Sequence, residues 1–245
     1  MRALLSVANR DGISLLARDL LNLEIEVFAT DGTREHLAAD GIEVRPVSEL
    51  TGLPSLVGGQ VKTFHPAIYA GILARRDVQA QMDELIEQGI GAIDIVVVNV
   101  NPFAPAVGQH LVPIDEAIEM IDVGGAALLG AAARNGAGVA AVGSPEYYPK
   151  LLSELKRHHA VSAELRAQLA ADAFGVVAAY YAEIAAYLNQ LSATTNNLVA
   201  ARGNIGSCHV ALAEAKEFVP GLRTVAWGDG DDCPKVATTD LRIVA

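Results

Sequence analysis

The 245-residue chain is 51% hydrophobic and 19% charged, which suits a domain with a large buried core and excludes a disordered chain. Its formal net charge of -11 argues against duplex nucleic-acid binding, which needs clustered Lys and Arg to neutralise phosphates. Cys208 and Cys233 stand far apart and outside any C-x-x-C spacing, so no zinc site or disulfide framework is indicated, and a reducing cytoplasm is the expected setting.

The N-terminal apolar run is too short for a signal peptide, and no segment is expected to reach the length of a bilayer span. Residues 3–7 read as a buried strand. Residues 12–21 carry Ile13, Leu16, Ala17 and Leu20 at helical spacing. A strand over 25–29 and a helix over 33–40, closed by Gly41, come next, then a strand over 44–46. Residues 61–76, V-K-T-F-H-P-A-I-Y-A-G-I-L-A-R-R, read as a proline-bounded turn leading into an apolar, basic-ended strand. A charged helix over 78–88 ends at Gly89. The aliphatic run over 93–99 is the longest continuous one and is expected at the sheet centre.

Further on, 114–121 reads as a helix, and Asp122-Val-Gly-Gly opens an alanine-rich helix over 126–134. A small strand over 139–142 and helices over 145–155 and 162–191 complete the pattern. Alternating strands and helices predict an α/β fold with a mostly parallel sheet, helices on both faces, in a domain over 1–190. From there to 245 the composition shifts to Thr, Asn and Gly, an extension of uncertain fold. Its W-G-D-G-D-D reads as a solvated acidic turn, because a calcium loop needs a downstream Glu and fuller ligand spacing.

In such sheets, ligands bind beyond the carboxyl ends of the strands, where helix N-termini expose unpaired N–H groups. Four unusual segments fall there: Ser6-Val-Ala-Asn-Arg10, Thr30-Asp-Gly-Thr33, Asn99-Val-Asn-Pro-Phe103 and Asp122-Val-Gly-Gly125. Lys62, Thr63 and His65 could hold an anionic, hydrogen-bonding small molecule, or form a solvated turn. Asp122 could be a general acid or base, or simply cap the following helix. His65 could be an acid/base or a turn hydrogen-bonder.

These motifs, in this order, resemble the N-terminal cyclohydrolase domain of the bifunctional purine-biosynthesis transformylase/inosine monophosphate cyclohydrolase family. S-V-A-N-R-D-G-I, E-L-T-G-L-P, V-K-T-F-H-P with G-I-L-A-R-R, V-V-V-N-V-N-P-F, and I-D-V-G-G with A-A-A-R-N carry the resemblance over roughly residues 2–190. It implies a methylglyoxal-synthase-like fold, a homodimer, no cofactor, no metal, and a nucleotide substrate. The implied reaction is closure of a formamido-imidazole-carboxamide ribonucleotide, or a related precursor, to a purine with loss of water.

By position, the resemblance implies charge stabilisation by Lys62 and proton transfer by Asp122, with Asn101, Arg134 and His65 also at catalytic positions. Ser6, Val7, Arg10, Thr30, Gly32, Thr33, Thr63, Asn99, Gly124 and Gly125 fall at substrate-binding positions. The chain departs from the family pattern at the same loops: Arg10 and Arg134 replace lysines, Asp31 a glycine, Gln60 a basic residue, Asn101 a tyrosine and Gly130 an arginine. Arg for Lys changes donor geometry and removes a titratable amine. These departures suit a pathway-specialised enzyme, for instance in nucleoside-antibiotic assembly. The alternative is a nucleotide-binding or scaffolding homologue that has lost the chemistry.

Overall fold

The computed structural model describes residues 1–103 and 114–202, with side chains up to 189. The extension from 203 onward, including both cysteines and the acidic turn, lies outside the described residues. Five parallel strands form one sheet in the order β3-β2-β1-β4-β5: β1 Arg2–Val7, β2 Glu26–Ala29, β3 Arg45–Pro46, β4 Ile95–Asn99 and β5 Ala140–Val142. The middle position belongs to β1, and the long aliphatic β4 lies beside it, one place from the expected centre. Both strands are buried on both faces, so length of the apolar run alone does not rank them.

Alternation along the strands feeds two cores. Ala3, Leu5, Val7, Ile95 and Val97 pack with α1 (Ile13–Asn22) and α8 (Tyr148–His158). Leu4, Phe28, Val96 and Val98 pack with α4 (Pro66–Leu73) and α7 (Val123–Arg134) on the opposite face. Helices therefore cover both faces, as the pattern predicts. The remaining helices are α2 (Asp31–Ala39), α3 (Ser48–Thr51), α5 (Gln79–Glu87), α6 (Ile114–Glu119) and α9 (Ala163–Arg202).

The expected strand before Arg75 is instead α4. Pro66 occupies the first turn, where its missing N–H costs nothing, and His65 caps it by accepting from Ala67 N through Nδ1 at 3.2 Å. The buried residues Ile68, Gly71 and Ile72 recur at helical spacing. A short apolar run of this length does not distinguish the two states. Gly71 lets α4 lie against the segment entering β4, since a Cβ there would sit 2.7 Å from Gly91 O. Ile93 N donates to Gly71 O at 2.9 Å, and Arg76 Nη2 donates to Gly71 O (3.0 Å) and Ile93 O (2.7 Å).

Helix α9 runs across residue 190 to Arg202 without a break. Leu165 and Leu169 join the first core, Ala173 the second, and Tyr180, Ile184 and Tyr187 a third with Phe103, Ala117 and Ala126. Contrary to the sequence expectation, its Ala163–Asn189 portion is long and apolar enough, by length and composition, to cross a membrane. In this structure that portion packs against α7 and β5.

Candidate functional site

The strand order reverses direction between β1 and β4, and the loops leaving these strands form one rim with the N-termini of α2, α4 and α7. At the β1–β2 corner, Thr33 Oγ1 accepts from Val7 N and Arg10 Nη1, both at 3.1 Å. The Thr30 hydroxyl donates to Ser6 Oγ at 3.2 Å. A Cβ at Gly32 would lie 3.4 Å from Arg10 Nη2, so the guanidinium rests over this glycine. Helix α2 begins at Asp31, two residues before the expected start, with Thr30 at its N-cap and Thr33 in its first turn. Ser6, Val7, Arg10, Thr30, Gly32 and Thr33 thus meet at one helix N-terminus, where anions are favoured. Asp31 accepts from the Ser55 hydroxyl at 2.6 Å.

The second group gathers where α7 begins. Asp122 caps this helix: Oδ1 accepts from Gly125 N at 2.8 Å, and Oδ2 accepts from Asn101 N at 3.1 Å. A Cβ on Gly125 would sit 2.5 Å from Oδ2, so only glycine lets the carboxylate fold back this closely. Across Gly124, Thr63 Oγ1 and Asp122 Oδ1 lie 3.6 and 3.9 Å from the place a Cβ would occupy. Both atoms lie beside Gly124, which puts Thr63, next to Lys62 in the chain, on the same rim as the carboxylate. Gln60 Nε2 reaches Glu119 at 3.1 Å across the same opening.

Asn99, at the end of β4, joins the two groups: Ala8 N donates to its carbonyl at 3.3 Å, and Asn101 follows two residues later. Arg134 does not join them. It stands exposed at the last turn of α7, the opposite end from Asp122, on the order of 18 Å away at 1.5 Å rise per residue. There it borders a separate cleft with Arg75, Arg76 and Asn135. His65 spends its Nδ1 on the α4 cap, so at that atom it acts as a turn hydrogen-bonder.

Two tyrosines enter the site unannounced by the sequence. Asp122 N donates to the Tyr180 hydroxyl at 2.6 Å, which pins the main chain of the capping residue to α9. Burial pushes the Tyr180 phenol up, opposed by that hydrogen bond. Tyr148 lies beneath Asn99, and burial pushes its phenol up to about 12 against a downward pull from the Asn99 amide. Aromatic residues in alanine-rich or amphipathic helices carry no such signal, because the period marks them only as core. Among the described residues, no group of three or more His, Cys, Asp or Glu is placed to hold a metal ion.

A parallel α/β domain with hydroxyls, glycines and a capping carboxylate gathered at its switch point is the class defined by this fold and rim. The MGS-like domain matches residues 12–127, and the AICARFT/IMPCHase bienzyme family matches residues 132–215. A bifunctional purine biosynthesis protein PurH of Rhodopirellula baltica is 44% identical over 178 residues, covering 73% of this chain and 34% of that protein. The PurH of Lacticaseibacillus paracasei is 45% identical over 182 residues, covering 74% and 35%. The crystal structure of ForH superposes with a TM-score of 0.70 at 36% identity, covering 77% of this chain and 98% of that one. The chain belongs to the PurH-related AICARFT/IMPCHase family, in its N-terminal, MGS-like part. It spans about a third of the length of its curated PurH relatives.

Proposed function

We propose that this protein is a purine-pathway-related enzyme whose rim closes a formamido-imidazole-carboxamide ribonucleotide, or a closely related precursor, by cyclohydrolase chemistry. The carboxamide nitrogen attacks the formyl carbon, a C–N bond forms, and the carbinol hydroxyl departs as water with a proton originating on nitrogen. The carrying observation is that Asp122 and Thr63, the neighbour of Lys62 in the chain, both lie beside Gly124. Asp122 is aimed by two main-chain N–H groups and would move the proton, Lys62 would steady the developing oxyanion, and the Ser6–Thr33 corner would hold the phosphate. No step in this scheme calls for a metal or redox group.

The test is single-turnover incubation of purified protein with the formylated carboxamide ribonucleotide. Stoichiometric appearance of the purine nucleotide is expected. Absence of conversion for this compound and its close analogues would refute the enzyme reading. A second reading, nucleotide binding without turnover, is favoured by one observation: Arg134 stands at the far end of α7 from Asp122. Tight binding of inosine monophosphate with no conversion would select it.

Beside the rim lie exposed apolar side chains on neighbouring elements: Ile118 and Val123 on α6 and α7, Phe174 and Tyr181 on α9. Covering such side chains with a second copy accords with the proposed homodimer. Light scattering at micromolar concentration is expected to give twice the monomer mass. A monomer would remove that part of the proposal.

A further inference from the structure

Helix α7 opens on two glycines that stand in different surroundings. Gly125 is demanded by the Asp122 carboxylate folded back onto it, whereas a Cβ on Gly124 would meet ordinary contacts. Thr63 Oγ1 would lie at 3.6 Å, and Asp122 Oδ1 and Phe64 Cε2 at 3.9 Å each. Gly124 is also not among the glycines with positive φ. Neither crowding nor backbone strain therefore calls for glycine at 124, and glycine is a poorer helix former than alanine. What its missing side chain leaves is a recess in the rim, bordered by a hydroxyl, a carboxylate and an aromatic ring.

That ring is held in place. Thr63 O accepts from His65 N at 2.9 Å, closing a tight turn with Phe64 at its apex, and His65 caps α4 directly after it. Tyr69, in the first turns of α4, lies parallel to the Phe64 ring, with centroids 6.2 Å apart and planes inclined by 6°, an offset stack. Phe64 is nevertheless 41% exposed. A lone exposed apolar side chain is ordinary. This one is fixed at its main chain and along its ring, and it borders the recess beside Asp122.

We infer that Phe64 is a specificity-determining residue of the rim: its ring is the platform on which the planar heterocycle of the nucleotide stacks, with the polar edge of that heterocycle in the recess at Gly124. The inference rests on the nucleotide reading above and deepens it by naming what recognises the base. A flat π-system gains from lying on an aromatic face, and stacking of this kind tolerates a change of heterocycle. Thr63 Oγ1 and Asp122 Oδ1 border the recess as polar partners for exocyclic groups. With the phosphate at the Ser6–Thr33 corner, base and phosphate are recognised by separate residues, so their contributions can be measured separately.

Calorimetry with inosine monophosphate and with ribose 5-phosphate, which lacks the base, tests this division. Phe64→Leu keeps an apolar side chain and removes the aromatic face; because the ring is exposed, its melting temperature is expected to stay close to that of the unaltered protein. Its affinity for inosine monophosphate is expected to fall about tenfold, while ribose 5-phosphate binds as before. Phe64→Tyr is expected to restore the loss. Gly124→Ala fills the recess, and is expected to melt no lower than the unaltered protein and to weaken inosine monophosphate alone. Undiminished inosine monophosphate affinity in Phe64→Leu, an equal loss for both compounds, or unaltered protein that binds both equally tightly would overturn the platform. A loss of affinity that tracks dissociation of a dimer in light scattering would assign the ring to the subunit contact and overturn it as well. Unaltered protein that binds neither compound would instead remove the functional reading on which the inference rests.

Discussion

Asp122→Asn is expected to melt close to the unaltered protein and to lose turnover by about 10²- to 10⁴-fold. Asparagine caps helices as well as aspartate does, so an amide oxygen in place of Oδ1 still accepts from Gly125 N, while the bond from Asn101 N to Oδ2 is lost at an exposed position that water can satisfy. What disappears is the capacity to take up and release a proton at the place where Thr63 and Gly124 meet the carboxylate. Asp122→Ala removes both roles and is expected to cost a further ~1 kcal/mol of stability from the lost cap. Chemical denaturation and single-turnover rates on the two variants separate the contributions. If Asp122→Asn retains its rate, the carboxylate is a cap and nothing more, and the ring-closing scheme loses its proton carrier.

Gly71→Ala is expected to destabilise the fold by about 1–3 kcal/mol and to weaken nucleotide binding with it. The added methyl would sit 2.7 Å from Gly91 O, and that oxygen is main chain, not the end of a mobile side chain. Gly71 is also tied to the opposite segment by the bond from Ile93 N and by Arg76, so α4 can make room only by breaking its own clamp. Burial lowers the affinity of Arg76 for its proton, with Asp94 opposing, which marks this clamp as a desolvated contact. Because α4 carries Thr63 and its His65 cap at its other end, retreat of the helix moves the rim. A urea titration paired with calorimetry measures both effects. A variant with an unchanged midpoint would show that the approach of α4 to Gly91 is easily relaxed.

Much of the architecture was legible in the chain because its signals are local. Ile13, Leu16, Ala17 and Leu20 announced α1, and the run ending at Asn99 announced a strand buried on both faces. The turn at Pro66 was legible as a boundary, yet its sequel was misjudged, since eight apolar residues satisfy either period until a cap is seen. At the site, Thr30, Thr33, Gly124, Gly125 and Asp122 were legible as residues of loops beyond strand ends, where the same residue types also serve as ordinary caps and turns, so their binding and catalytic roles rested on the family resemblance. Arg134 could not be separated from them in advance: twelve residues of helix carry it to the opposite end, and a linear motif hides that distance. Tyr180 and Tyr148 stayed invisible for the converse reason. They reach the rim through tertiary packing from 58 and 49 residues downstream of Asp122 and Asn99, and their own helices mark them only as core.

The forty-residue helix α9 touches the sheet's first core near Leu165, its second near Ala173, and the carboxylate's main chain through Tyr180. A single continuous helix therefore ties three separately packed clusters to the main chain of the residue that caps α7.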